Sequence, residues 1–200
     1  TTEIYTLSLH DALPIYNNRE TYELGEDRIY KVHKEITTAN DTIFWIGIRN
    51  SGFQRWKKNG KKFEKIQTYQ INFKGDRYSP YDFVLVDNYI YVATSQGLYS
   101  LEKGHTSDSL VLIYPSKEFL AKNDGTTFVV HNIIKLDPNT LQASTQDGLL
   151  WYDTQTNDIS TTFKGSSVEH VAAYNDTIFA IIKEHLYLIN KNAEIVTDIN

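Results

Sequence analysis

Cysteine and methionine are absent from these 200 residues, only four are proline, and no apolar run is long enough to cross a membrane as a helix. Without cysteine there are no disulfides, no thiolate metal sites and no cysteine nucleophile. That absence does not fix a compartment, because many exported proteins also do without disulfides. An excess of one charge is missing too. The 20 Lys and Arg against 25 Asp and Glu leave a net charge of -5, spread along the chain. With no basic stripe to follow a phosphate backbone, nucleic acid is not an expected partner. Membrane contact within the span is not expected either. A start at Thr1, in a chain without methionine, leads to the expectation of an internal piece of a longer protein. Any signal peptide or anchor would then lie outside it.

Aromatic residues are plentiful instead. Fourteen Tyr, nine Phe and three Trp favour strands over helices. Four hairpin-like segments recur: Thr42–Lys57 (TIFWIGIRNSGFQRWK), Tyr89–Lys103 (YIYVATSQGLYSLEK), Thr140–Asp153 (TLQASTQDGLLWYD) and Thr177–Asn190 (TIFAIIKEHLYLIN). Their spacing of about 37 to 51 residues marks a stacked or radial unit. Each repeat reads as four strands. The first comprises Ile29–Ile36, Ile43–Ile48, Phe53–Lys57 and Phe63–Ile66, and the second Tyr81–Val86, Tyr89–Thr94, Leu98–Glu102 and Leu110–Tyr114. The third comprises Phe128–Leu136, Thr140–Thr145, Leu149–Tyr152 and Ile159–Phe163, and the fourth Val168–Ala173, Thr177–Ile182, Leu186–Ile189 and Glu194–Asp198. Asn40-Asp41, Asp87-Asn88, Asp137-Pro138-Asn139 and Asn175-Asp176 supply the first turn of each. No segment sustains the 3.6-residue period of a crossover helix. The second strand is almost wholly apolar, as an inner strand covered on both faces would be. Small sheets of this kind hide their faces only against one another. The expected fold is therefore all-β: a β-propeller over residues 16–200, with four four-stranded blades near 28–67, 78–115, 127–164 and 168–199.

Asn50-Ser51-Gly52, Ser95-Gln96-Gly97 and Gln146-Asp147-Gly148 occupy one turn in three blades, where glycine tolerates positive φ. The fourth blade has Lys183-Glu184-His185 there, so its turn geometry should differ. Trp45, Trp56, Tyr91, Tyr99, Trp151, Tyr152 and Tyr187 recur near strand positions and are expected to fill the space between blades. His33, His131 and His170 lie on innermost strands, where they could line the central channel. Longer polar connections enter blades 2 and 3 through Lys74–Tyr81 and Glu118–Thr127, and loops on a rigid scaffold commonly carry recognition. Arg77 is suited to an anionic group, and Tyr78 or Tyr81 to stacking on a ring. The expected ligand-binding set is thus Arg77, Tyr78, Tyr81, His131 and His170. No catalytic residue, metal or cofactor is expected. Nothing fixes Asp76, Asp82 and Asp124 at the separation of about 5 to 9 Å that glycoside hydrolysis demands, and no nucleophile-elbow spacing occurs.

The hairpin units resemble the two-component-regulator propeller repeat. Phe44-Trp45-Ile46-Gly47-Ile48 followed by Gly52-Phe53 carries the likeness, as does Val92-Ala93-Thr94 followed by Gly97-Leu98-Tyr99. Ala143-Ser144-Thr145 followed by Gly148-Leu149-Leu150-Trp151-Tyr152-Asp153 matches best, and Ile178–Ile181 with Leu186–Asn190 more loosely. The resemblance covers about Ile29–Asn200. It implies an open arc or fragment of a propeller with about seven blades, joined in the parent chain to further blades and signalling domains. It also implies a periplasmic or extracellular receptor, membrane-anchored as a whole, that senses a ligand, oligosaccharides among the candidates, without catalysis. A propeller lyase or hydrolase acting on polysaccharide, or a structural interaction scaffold, are the alternatives. Exposed strand edges on an open arc would favour a homodimer. Glu3–Ile15 (EIYTLSLHDALPI) resembles a translated sequencing-adapter string, which makes residues 1–15 an expected non-native or disordered extension. An outer strand of a preceding unit is the other reading.

Overall fold

The computed structural model describes residues 28–199 apart from 50, 51, 71, 74, 75, 78, 105–109, 117, 118, 120–126, 176 and 193. Residues 72, 73, 76 and 77 are described by backbone alone. The expected extension over residues 1–15 lies outside the described residues.

Alternating and fully apolar strands, punctuated by short polar turns, fold into four antiparallel four-stranded sheets. Blade 1 holds β1 (Ile29–Ile36), β2 (Thr42–Ile48), β3 (Gly52–Asn59) and β4 (Lys62–Tyr69). A two-stranded ribbon follows, β5 (Asn72–Phe73) with β6 (Asp76–Arg77). Part of the connection expected to be loop is therefore paired backbone. Blade 2 holds β7 (Pro80–Val86), β8 (Tyr89–Thr94), β9 (Gly97–Glu102) and β10 (Val111–Tyr114). Blade 3 holds β11 (Val130–Lys135), β12 (Thr140–Thr145), β13 (Gly148–Asp153) and β14 (Ile159–Thr162). Blade 4 holds β15 (Val168–Tyr174), β16 (Thr177–Ile182), β17 (His185–Ile189) and β18 (Ile195–Ile199). Each sheet is a meander, with neighbours in sequence paired in space. The architecture is the β-propeller, present as an open arc.

Turn chemistry explains why the meanders form in register. Asn40, Asp87 and Asn175 take positive φ between the first and second strands, a conformation that short polar side chains tolerate. Between the second and third strands, Thr94 and Thr145 are fully buried. Their hydroxyls donate to the carbonyls of Gly97 and Gly148, each at 2.8 Å, and accept from the amides of Gln96 and Asp147. A Cβ on Gly97 would sit 2.3 Å from the Tyr114 carbonyl oxygen, and one on Gly148 2.5 Å from that of Thr162. The glycines are needed where the fourth strand crosses, as well as for φ. Blade 4 has Ile182 and His185 in place of the threonine and glycine, and turns instead through positive φ at both Lys183 and Glu184. Its geometry differs as expected.

Packing runs from blade to blade. Trp45, Phe53 and Tyr69 of blade 1 meet Phe83, Ile90 and Val92 of blade 2. Tyr91, Ala93 and Leu98 of blade 2 meet Ile133, Leu141, Ala143 and Tyr152 of blade 3. Leu149, Ile134 and Trp151 of blade 3 meet Val171, Ile178 and Ala180 of blade 4. Inter-blade aromatics are thus as expected for Trp45, Tyr91, Tyr99, Trp151, Tyr152 and Tyr187. Trp56 lies outside the three described junctions. Its strand position is paired with Phe44, so it projects to the opposite face of blade 1 and packs with Phe44, Ile46 and Ile48.

Candidate functional site

In all four blades the first strand carries a register irregularity at its start, between Ile29 and Lys31, Pro80 and Asp82, Val130 and Asn132, and Val168 and His170. Such a bulge takes one residue out of the ladder and re-aims its side chain. The four residues so released are Tyr30, Tyr81, His131 and Glu169. They occupy equivalent places on the innermost strands, at the end where the long connections enter and the second strand turns into the third.

Two neighbours along this rim, on blades 1 and 2, touch. Tyr30 and Tyr81 pack edge to face with ring centroids 5.2 Å apart, a favoured aromatic geometry. Burial pushes the Tyr81 phenol up, with Tyr30 adding to the effect, while a hydrogen bond from Ser95 and the charge of Arg49 oppose it. Burial likewise pushes the His131 imidazole down, against the weaker upward pull of the Glu169 charge. At neutral pH His131 is therefore uncharged. Its Nε2 atom is buried and has no hydrogen-bond partner. The bulge residues are ring side chains on blades 1 to 3 and an exposed Glu169 on blade 4, with the Arg49 charge close enough to act on Tyr81.

Two of the five expected site residues, Tyr81 and His131, thus fall at matching places on adjacent blades. His170 comes one register position later, opposite Ile181, and points to the side of blade 4 away from blade 3. The Arg77 backbone pairs with Asn72 in the ribbon; its side chain and Tyr78 lie outside what is described. His33 does not reach the rim. It is paired with Trp45 and faces the ring of Phe83 at 6.4 Å, within the junction of blades 1 and 2. Among the described residues, no three His, Asp or Glu side chains cluster as a metal site. Sequence reasoning missed Tyr30, Ser95 and Glu169. The common offset of the rim residues, one residue into each first strand, emerges only with the strand starts of the structure.

No family model matches the sequence, and no curated protein matches it. Solved structures do match. The WD40 domain of Neurospora crassa Pan2 aligns with a TM-score of 0.59 at 10% identity, over 86% of this chain and 49% of that one. The extracellular domain of the putative hybrid two-component system BT4673 from B. thetaiotaomicron aligns with a TM-score of 0.59 at 14% identity, over 88% of this chain and 22% of that one. A second structure, titled the extracellular domain of the putative one component system BT4673, gives 0.57 at 19%, over 79% and 21%. At these identities the likeness establishes the fold. The chain spans about half of the WD40 domain and about a fifth of the extracellular domains.

Proposed function

We propose that this chain is a non-catalytic, ligand-sensing part of an extracytoplasmic two-component receptor, and that its rim recognises an uncharged oligosaccharide. The observation that carries the reading is the series Tyr30, Tyr81 and His131, ring side chains at one equivalent position on three successive blades. Flat rings suit the apolar faces of sugar rings. The unpartnered Nε2 of His131 and the exposed carboxylate of Glu169 suit their hydroxyls. Arg77 and Tyr78, expected from the sequence to contact ligand, are kept as candidates in this reading. The fold likeness to extracellular domains of putative one- and two-component systems supports the signalling context and the location outside the cytoplasm.

Calorimetric titration of the complete gene product with neutral and acidic oligosaccharide pools tests this. Heat and a thermal shift are expected with a neutral pool, and Tyr81→Ala should weaken binding about tenfold, the loss of an anchor that contributes about 1.4 kcal/mol. Silence with every pool, or turnover of a polymer, overturns the reading.

A further inference from the structure

In blades 1 to 3 the residue after the bulge reaches forward into the next blade. Lys31 of blade 1 forms an ion pair with Asp82 of blade 2 at 2.5 Å. Asp82 in turn accepts, at 3.0 Å, from the amide of Ile133 on the inner strand of blade 3. Asn132 of blade 3 clasps Val171 of blade 4, donating to its carbonyl at 2.7 Å and accepting from its amide at 2.9 Å. By register these three residues are equivalent: Lys31 lies opposite Gly47, Asp82 opposite Ala93, and Asn132 opposite Ser144. His170, opposite Ile181, is the fourth of the series.

We propose that the face of blade 4 turned away from blade 3 is a junction for one further blade of this repeat. His170 is its connector, an imidazole nitrogen accepting an inner-strand amide proton. The surrounding positions agree. Phe179 stands where Trp45, Tyr91 and Gln142 stand in the other blades, and all three of those are buried in junctions. Ile181 stands where Gly47, Ala93 and Ser144 are buried. In blade 4 both are only half-buried, beside half-buried Leu186 and Leu188 and an Ile199 that is 44% exposed. The three junctions already formed specify the occupant. All three are filled by a sheet presenting branched or small apolar residues, such as Val92, Ala143 or Ala180, and two of them, the second and third, also present an inner-strand amide, that of Ile133 or Val171. Blade 1 of a second copy does not fit this role, because its corresponding residues, Phe44, Ile46 and Ile48, are already buried.

The test places a photoreactive benzoyl-phenylalanine at Phe179 of the complete gene product and maps the cross-link by mass spectrometry. A link to the first or second strand of a blade other than blades 1 to 4 is expected. A 179-to-179 dimer, a link elsewhere, or no link overturns the proposal. Independently, His170→Ala should lower the apparent folding equilibrium constant about tenfold, while His170→Asn, which copies Asn132, restores it to within about threefold. An alanine variant as stable as the parent overturns the connector role.

Discussion

The junction of blades 1 and 2 and the junction of blades 3 and 4 are built on the same repeat positions with opposite chemistry. At the first, Trp45 is fully buried, stacks on Phe53 at 5.5 Å, and donates from Nε1 to Glu35 at 2.7 Å. Glu35 also takes Lys103 from blade 2, again at 2.7 Å. At the second, the position of Trp45 belongs to Gln142, fully buried with neither amide atom hydrogen-bonded. Cohesion there comes from the Asn132 clasp on Val171 and the smaller apolar contacts around Ala180. A blade repeat therefore conserves where a side chain goes, and leaves open whether packing or hydrogen bonding closes the junction.

Breaking the aromatic junction should have the largest effect. Trp45→Ala removes a fully buried indole and leaves a void against Phe53 and Tyr69, a loss of about 3–5 kcal/mol in denaturant unfolding. A loss below about 1 kcal/mol would mean that Trp45 does not close this junction. The polar junction breaks differently. Asn132→Asp sets a carboxylate oxygen against the Val171 carbonyl that the amide now donates to, costing about 2–3 kcal/mol. Asp82→Asn, at the equivalent position, keeps an acceptor for the Ile133 amide and gives up the charge of Lys31, costing about 1 kcal/mol. Equal losses for the two swaps would sink the assignment of donor and acceptor.

The blades were legible in the sequence because their determinants are local. Polar turn residues recur in register, and the second strand is apolar throughout, so strand existence and order follow from short windows. The rim was legible only in part. His131 was placed because the inner strand was known and Tyr81 because it ends the long connection into blade 2, but a bulge shifts projection by one residue and carries no sequence signature of its own. His131 and His170, both on inner strands, consequently face different surroundings, and His33 goes to a junction. The connectors Asp82 and Asn132 read as ordinary polar residues. Their partners are backbone amides 51 and 39 residues away, which no local pattern encodes.

Acid should separate the two junctions. Burial of Glu35 works against its ionisation, but hydrogen bonds from Lys103 and Trp45 outweigh it and hold the carboxyl below its ordinary value of 4.5. A carboxyl depressed in the folded state adds stability that is complete above the unfolded value and vanishes as pH falls through the folded one. Below pH 4.5 the parent should therefore lose stability that Glu35→Gln has already lost, about 1–2 kcal/mol at neutral pH for a hydrogen-bonded, partly exposed pair. Parallel stability curves for the two proteins between pH 6 and the acid limit would show that Glu35 does not report on this junction.

The smallest expected change runs in the opposite direction. Gln142 lies between Ile134 and Trp151 in the register of blade 3, on the face packed against blade 4. A buried amide without partners loses its hydration and regains nothing, whereas the indole at the equivalent position of blade 1 has Glu35. Leucine has nearly the same volume and no polar atoms. Gln142→Leu should therefore stabilise the protein by about 1 kcal/mol, read as a higher denaturant midpoint at unchanged slope. The same substitution at Gln54, buried but bonded to the Trp56 indole at 2.9 Å, should destabilise instead. A stabilising Gln54→Leu, or a destabilising Gln142→Leu, would show that burial alone, without the state of the hydrogen bonds, does not distinguish the two glutamines.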